Sequence, residues 1–280
     1  GNRSYTWLQT YNRCTKFASA LTKQGIGLGS TVSIIAANTP ELLEAHYSIP
    51  MTGGVVNTIN TRLDAETIAY ILDHSDAKIL ITDTQFSPTI KKALSIYGKK
   101  IPIIDIHDDQ AIFKDGEGEK IGDWTYEEFL KTGEDNFNWS LPKDEWQAIS
   151  LSYTSGTTGN PKGVLYSHRS TLIHTIAAAN PDSFNLSCLD VIMPIAPMFH
   201  ANAWGIPYVA TMVGAKLVLP GRHLDGRSIY NLLESEKVTF TAAVPTIWLM
   251  LFQFLETEKK KLTYLKSCAI GGSACPKVMI

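Results

Sequence analysis

The segment of this 280-residue chain with the most groups able to bind an anion is Tyr153-Thr-Ser-Gly-Thr-Thr-Gly-Asn-Pro-Lys-Gly163. Glycines let a backbone approach a ligand closely and point successive N–H groups at it, so Gly156 and Gly159 predict an anion-binding nest. Lys162 adds a positive charge about where a terminal phosphate would lie. Hydroxyl donors come from Thr154, Ser155, Thr157 and Thr158. These residue types together predict a phosphate-binding loop.

The loop does not match the P-loop pattern G-x-x-x-x-G-K-[ST], because Pro161 precedes the lysine and Gly163 follows it. The residues from Gly163 to Ser167 have the composition of a β-strand, which places the loop between two strands instead of at the start of a helix. A polar hairpin without a ligand is the alternative. The density of glycines and hydroxyls in this short segment argues against that alternative.

The run Thr154-Ser-Gly-Thr-Thr-Gly-Asn-Pro-Lys-Gly163 resembles the signature of the AMP-forming acyl-adenylating superfamily, which includes acyl-CoA synthetases, luciferases and nonribosomal adenylation domains. The resemblance implies a loop that handles the β- and γ-phosphates of MgATP, with catalytic roles for Lys162 and Thr154 and with Thr154 close to the metal. The implied ATP-phosphate contacts are Thr154, Ser155, Gly156, Thr157, Thr158, Gly159 and Lys162.

A second segment, Pro197-Met-Phe-His-Ala-Asn-Ala-Trp204, follows a predicted strand, and ligands of α/β folds bind at the carboxyl ends of strands. Core packing is the alternative for any single side chain in it. By resemblance it matches the segment lining the acyl pocket of fatty-acyl-CoA synthetases, with His200, Ala201 and Trp204 as substrate contacts and Trp204 at the position of a tunnel gate. Amino-acid-activating members have Phe-Asp here. This chain has Phe199-His200, so the resemblance implies an apolar carboxylic acid.

The third match is Gly271-Gly-Ser-Ala-Cys-Pro276, directly after a predicted strand that ends at Ile270. Two successive glycines permit close approach of the backbone to a ligand, although a plain strand-to-helix turn is the alternative. The resemblance implies that Gly271, Gly272 and Ser273 contact the adenine or the acyl group, with Gly272 also among the substrate contacts.

The elements that must position these segments alternate between short β-branched runs and helical patterns, which predicts an α/β fold with mostly parallel sheet. Capping boxes at Thr6 and Thr125, an N-cap at Asp64 and a first-turn proline at Pro40 mark helix starts. Strands are expected near residues 31–35, 55–56, 78–82, 101–105, 148–153, 164–167, 191–193, 216–219, 238–242 and 267–270.

By resemblance, the fold is the large N-terminal domain of the acyl-adenylating fold, with two packed, mostly parallel sheets flanked by helices. Two interleaved subdomains are expected, one of about residues 30–180 and one of about residues 1–29 plus 185–280.

Three parts of the family pattern are absent: a Tyr-Gly-x-Thr-Glu segment expected after Ile280, a ribose-binding aspartate, and the lysine of a separate C-terminal domain. Residues 1–280 are therefore expected to be an N-terminal AMP-binding fragment, incomplete at the C-terminus, that adenylates poorly by itself.

Composition restricts the function classes further. The 25 Lys and Arg against 27 Asp and Glu give a formal net charge of −2, which argues against a general nucleic-acid binder. The four cysteines have no CxxC spacing and form no disulfide framework, so a cytoplasmic location is expected. Prolines interrupt the apolar stretches Val191–Ala215 and Val238–Leu255, so both are interpreted as core and no transmembrane segment is expected.

The implied function is ATP-dependent activation of a fatty or other apolar carboxylic acid to an acyl-adenylate and then to acyl-CoA, with Mg²⁺ and coenzyme A taking part. Related synthetases suggest a homodimer. His200 is expected to shape the acyl pocket instead of acting as a base, because a carboxylate needs no deprotonation at pH 7.

Three alternatives remain open at this point. The chain could be a non-catalytic module that binds nucleotide or acyl groups, or an aryl-CoA ligase or luciferase-like enzyme. The third alternative is a serine hydrolase, because Gly271-Gly-Ser273-Ala-Cys275 nearly fits a nucleophile elbow, although the fifth position is Cys instead of Gly.

Overall fold

The computed structural model describes residues 3–114, 116–154 and 159–276. The chain divides into two compact units, one of Ser4–Leu172 and one that begins at Ile173. The boundary falls inside helix α6 (His168–Ala179).

The first unit contains a seven-stranded sheet in the order β5-β4-β3-β1-β2-β6-β7. Its strands are β1 (Thr31–Ile35), β2 (Val55–Thr58), β3 (Ala77–Asp83), β4 (Ile103–Ile106), β5 (Trp124–Thr125), β6 (Ala148–Thr154) and β7 (Lys162–Ser167). Every neighbouring pair is parallel except β6 and β7, which are antiparallel. All residues of the central strand β1 are buried, as expected for a parallel sheet covered on both faces.

The helices of the first unit follow in chain order, and four of them begin where the sequence predicts, at the caps Thr6, Asp64 and Thr125 and at Pro40. They are α1 (Trp7–Lys23), α2 (Pro40–Met51), α3 (Ala65–His74), α4 (Ser87–Tyr97), α5 (Tyr126–Lys131) and the start of α6, with a 3₁₀ turn at Thr84–Phe86. The capping boxes at Thr6 and Thr125 are formed, and Asp64 accepts a hydrogen bond from the Thr67 N–H at 2.8 Å. Pro40 occupies the first turn of α2.

Helix α1 belongs to the first unit, which differs from the expected grouping of residues 1–29 with residues 185–280. Phe17 of α1 is fully buried and stacks on Tyr126 of α5 with ring centroids 4.4 Å apart. Arg13 of α1 forms an ion pair with the buried Glu44 of α2 at 2.6 Å and with Glu127 of α5 at 2.7 Å. Helix α1 therefore packs on α2 and α5 through its apolar face and through this polar cluster.

The second unit contains a four-stranded parallel sheet in the order β11-β10-β8-β9. Its strands are β8 (Val191–Pro194), β9 (Lys216–Leu217), β10 (Phe240–Ala243) and β11 (Ser267–Ile270), and its helical segments are α7 (Ala201–Trp204), α8 (Ile206–Val213), α9 (Gly226–Ser235) and α10 (Pro245–Thr257). The apolar stretch 238–255 divides at Pro245 into β10 and α10, as predicted, and its buried side chains join the core of this unit.

The expected fold class is confirmed: the chain is α/β, with mostly parallel sheets flanked by helices. All ten expected strands are present, with ends that differ by a few residues, whereas the two-residue strand β5 was not expected. Within residues 3–114, 116–154 and 159–276, no helix has the length and apolar character needed to cross a membrane.

Candidate functional site

The glycine loop joins the paired ends of β6 and β7. In this antiparallel hairpin Thr154 lies directly opposite Lys162, and Tyr153 lies opposite Gly163. Directly opposite residues of an antiparallel pair project their side chains from the same face of the sheet, so the two predicted catalytic residues are neighbours. Both are exposed, as is Gly159. The predicted contacts Ser155, Gly156, Thr157 and Thr158 lie outside the described residues.

This register places the threonine and the lysine at opposite positions of the two strands, on the same face, at the neck of the loop. An exposed lysine can neutralise phosphate charge that it meets, and the effect is larger once a ligand excludes water. The Thr154 hydroxyl is an oxygen ligand of the type that Mg²⁺ accepts, since Mg²⁺ is usually held by few protein oxygens together with substrate phosphates and water. In the described part of the chain, no group of three or more His, Cys, Asp or Glu side chains could hold a metal ion. The oxygen chemistry of Thr154 by itself is of the kind that fits a Mg²⁺ arriving with a nucleotide.

A tyrosine anchors the strand at the point where the loop begins. The Tyr153 hydroxyl is 2.8 Å from Nδ1 of His74, whose ring stacks on Tyr70 with centroids 5.3 Å apart. Burial, with a smaller contribution from Tyr70, raises the pKa of Tyr153 to about 12, so the hydroxyl keeps its proton at neutral pH. Sequence reasoning gave Tyr153 and His74 no role. The available signal was the two-residue period of a strand, which puts Tyr153 on the opposite face from Thr154.

In the second unit, the predicted acyl segment follows strand β8. The two residues between them form hydrogen bonds with the neighbouring strand β10. The N–H groups of Ile195 and Ala196 both donate to the carbonyl oxygen of Ala242, at 3.0 and 2.7 Å. His200 is exposed and extended (φ −116°, ψ 116°), and its N–H donates to the Pro197 carbonyl at 3.0 Å. The role of His200 in shaping a pocket stays a prediction.

The next four residues form a left-handed turn, and none of them is glycine. Their φ angles are 44° at Ala201, 50° at Asn202, 48° at Ala203 and 57° at Trp204, and Gly205 continues the run at 77°. Left-handed backbone costs an L-residue about 1–2 kcal/mol, so the surrounding structure must hold this turn in place. The sequence pattern of an aromatic-rich segment before a helix did not predict this backbone.

Trp204 and Gly271, from two separate motifs, meet in the structure. A β-carbon built on Gly271 would lie 2.9 Å from Cζ2 and 3.0 Å from Cη2 of Trp204, so the indole lies directly against the glycine backbone. Any side chain at position 271 would displace the ring. The absence of a side chain here therefore admits the tryptophan. The expected contact of Gly271 with the adenine or the acyl group stays a prediction.

The remaining predicted residues of the second unit flank this contact along the chain. Gly272 has φ 82°, and a β-carbon on it would lie 3.0 Å from Cγ1 of Val244. Ser273 is exposed, whereas Ala201 is partly buried. Residues 271–276 are irregular, so no helix directly follows Ser273 within the described residues. A nucleophile elbow needs such a helix, which argues against the serine hydrolase hypothesis.

Sequence reasoning also missed His174, which lies on α6 within the second unit. A β-carbon built on Gly205 would lie 2.6 Å from Nδ1 and 2.8 Å from Cε1 of His174. The imidazole therefore occupies the space beside the last residue of the left-handed turn. No spacing rule links position 174 to position 205, so only the folded chain could identify the pair.

Comparison with known proteins agrees with the fold and the motifs. The AMP-binding enzyme family matches residues 1–280. The chain is 43% identical over 275 residues to the medium-chain-fatty-acid–CoA ligase of Ectopseudomonas oleovorans, which covers 98% of this chain and 50% of that protein. It is 40% identical over 275 residues to the long-chain-fatty-acid–CoA ligase of Thermus thermophilus, which covers 98% of this chain and 48% of that protein.

A solved structure extends the agreement in fold. The crystal structure of an anthranilate CoA ligase in complex with anthranoyl-AMP matches with a TM-score of 0.86 at 22% identity, over 99% of this chain and 52% of that one. The chain spans about half the length of the relatives it matches. With the family match extending over the whole sequence, the resemblance found in the three motifs is confirmed, and the chain belongs to the AMP-binding enzyme family.

Proposed function

We propose that this chain provides the ATP- and acid-binding part of an acyl-CoA ligase that activates a fatty or other apolar carboxylic acid. The observation that carries the proposal is the direct pairing of Thr154 and Lys162 at the neck of a glycine-rich loop. The names of the relatives, medium-chain and long-chain fatty-acid–CoA ligases, support an acid of this class.

The first step joins a carboxylate oxygen of the acid to the α-phosphorus of ATP and breaks the bond between that phosphorus and the pyrophosphate oxygen. The products are an acyl-adenylate and pyrophosphate. No nucleophilic side chain is needed, because the substrate carboxylate is itself the nucleophile. The step needs neutralisation of phosphate charge, and the proposal assigns this role to Lys162 and the N–H groups of the glycine-rich loop. Mg²⁺ bound with the nucleotide, next to the Thr154 hydroxyl, would supply further charge neutralisation.

In the second step the thiol of coenzyme A attacks the carbonyl carbon of the acyl-adenylate, and AMP leaves as the thioester forms. The acyl group is assigned to Trp204, Ala201 and His200, with Gly271, Gly272 and Ser273 along the acyl group and adenine. The apolar Trp204 indole beside Gly271 suits an uncharged tail. The same proposal includes a homodimer and a cytoplasmic location. The location is supported by four free cysteines, two of them exposed, which fit a reducing compartment.

The test is acid-dependent exchange of labelled pyrophosphate into ATP by the full-length protein that carries this sequence. A panel of acetate, octanoate, palmitate and benzoate should give the highest kcat/KM with one of the two fatty acids. Benzoate as the best acid would favour the aryl-CoA ligase alternative. Binding of ATP without exchange for any acid would favour the non-catalytic module and overturn the proposal.

A further inference from the structure

The left-handed turn of residues 201–205 is held at its end by a contact that the proposed reaction does not explain. Left-handed conformations of L-residues usually occur singly, whereas here four successive residues with side chains adopt them. Such a run persists only where neighbouring groups over-determine it. The groups that hold it therefore decide where Trp204 lies.

Gly205 is the point at which the turn is fixed to the rest of the second unit. Its N–H donates to the Asn202 carbonyl at 3.0 Å, and its own carbonyl accepts from the N–H groups of Tyr208 and Val209 at 3.1 and 3.0 Å, in the first turn of α8. Its α-carbon faces the His174 imidazole so closely that a methyl group would lie 2.6 Å from Nδ1. A shift of the turn toward His174 would therefore require the imidazole to move.

Trp204 precedes Gly205 directly, and its indole lies against the Gly271 backbone. The tryptophan thus adjoins a backbone position that lies against the His174 imidazole, while its own ring lies against Gly271. A movement of Gly205 into the space now filled by the imidazole would carry Trp204 with it. His174 is exposed and is not among the residues assigned to the substrate.

From these contacts we propose that His174 is a positioning residue: by filling the space beside Gly205 it holds the left-handed turn, and so sets how far the Trp204 indole extends along Gly271 and which acyl chain lengths the enzyme accepts. The chain-length part of this proposal rests on the proposed function.

The test is a double-mutant cycle of His174→Ala, Gly205→Ala and the double variant in the full-length protein. Gly205→Ala introduces a methyl group that meets the imidazole, and His174→Ala removes that obstacle. The ratio of kcat/KM for octanoate to that for palmitate should change by at least about threefold in His174→Ala, with the KM for ATP unchanged, because the change alters acid binding alone. The double variant should recover part of the activity that Gly205→Ala loses.

A second readout does not depend on turnover. In protein labelled with 5-fluorotryptophan, the fluorine resonance of Trp204, assigned from its loss in Trp204→Phe, should shift in His174→Ala while the other tryptophan resonances keep their positions. His223→Ala is the matched control, because His223 is also exposed and its Nε2 accepts a hydrogen bond from Arg222 of the same loop. This control should leave both the acid ratio and the Trp204 resonance unchanged.

Additive effects of the two substitutions, or an unchanged Trp204 resonance in His174→Ala, would overturn the positioning role. An unchanged acid ratio together with a shifted resonance would overturn the chain-length part. If the wild-type protein shows no exchange with any acid, the proposed function fails, and the fluorine resonance still decides whether His174 positions Trp204.

Discussion

The β6–β7 hairpin (residues 148–167) and the left-handed turn (residues 201–205) hold their candidate site residues by different physical means. In the hairpin, regular antiparallel pairing brings Thr154 opposite Lys162, and Tyr153 adds a hydrogen bond to His74. In the turn, the backbone has an unfavourable conformation, and close contacts at Gly205 and Gly271 keep Trp204 in place.

The two regions should therefore respond differently to amino-acid substitutions. A hairpin edge with exposed side chains can lose a functional group without a structural effect, so its variants should separate chemistry from stability. A turn that depends on close packing has little room for an added atom, so its variants should alter the binding of the acid and the local structure together.

The largest expected effect is that of Lys162→Ala, which should lower the adenylation rate of the full-length protein by about 10²–10³-fold, as removal of one charge-stabilising donor does in other enzymes. The measurement is acid-dependent pyrophosphate release under single-turnover conditions. The melting temperature should stay the same because Lys162 is exposed. An unchanged adenylation rate and an unchanged ATP affinity would contradict the role assigned to this residue.

Arg13→Ala tests whether adenylation by the β6–β7 hairpin depends on the stability of a distant part of the first unit. The substitution removes the cation from the buried Glu44 carboxyl, which keeps the hydrogen bond donated by the Tyr126 hydroxyl at 2.8 Å. Removing one partner of a buried pair should destabilise the protein by about 3 kcal/mol, because the Glu44 carboxyl stays buried without its cation. Urea unfolding of the full-length protein measures the loss. The adenylation rate per folded molecule should be retained, and a parallel loss of that rate would show that the hairpin is not independent.

Gly271→Ala should affect the turn region. The added methyl group would lie 2.9 Å from the Trp204 ring, so the indole must move. We expect kcat/KM for the preferred acid to fall about tenfold, which corresponds to about 1.4 kcal/mol, with the KM for ATP little changed. Gly27→Ala is a suitable control, because nothing lies within 4 Å of a β-carbon at that position. Equal losses in the two variants would mean that contact with Trp204 is not the cause.

The pH dependence of the unfolding free energy should show how much the Glu44 carboxyl contributes to stability. Burial raises the pKa of its carboxyl, against the opposing effect of Arg13. The folded protein therefore holds this proton to higher pH than the unfolded chain does, and the associated stability is lost as pH rises from the ordinary glutamate value through the raised one. The difference in unfolding free energy between wild type and Glu44→Gln should fall across that window. A constant difference would contradict the shifted pKa.

The smallest expected effect is that of His200→Ala, since this exposed side chain is assigned a role in pocket shape. The relative kcat/KM values for the acid panel should change by a few-fold, which is typical of small changes in an apolar pocket. The single-turnover rate at saturating acid should be unchanged. A large drop in that rate would instead make His200 part of the chemistry.

Local chemistry explains why much of the molecule could be predicted from its sequence. The caps at Thr6, Asp64 and Thr125 are formed by residues three positions apart, so they do not depend on the rest of the fold. Likewise, a loop that binds phosphate through backbone N–H groups and nearby hydroxyls is encoded in one continuous run, which made the motif from Thr154 to Gly163 recognisable. The alternation of strands and helices was visible for the same reason.

Tertiary structure decided the contacts between residues far apart in sequence. The sequence contained Trp204, Gly205 and Gly271, but only folding placed the indole on Gly271 and His174 on Gly205. Likewise, α1 joined the first unit through Arg13 and Phe17, which pair with residues of α2 and α5. The physical reason is that local patterns determine backbone hydrogen bonding within an element, whereas close packing and buried ion pairs depend on surfaces that exist only once the elements have come together.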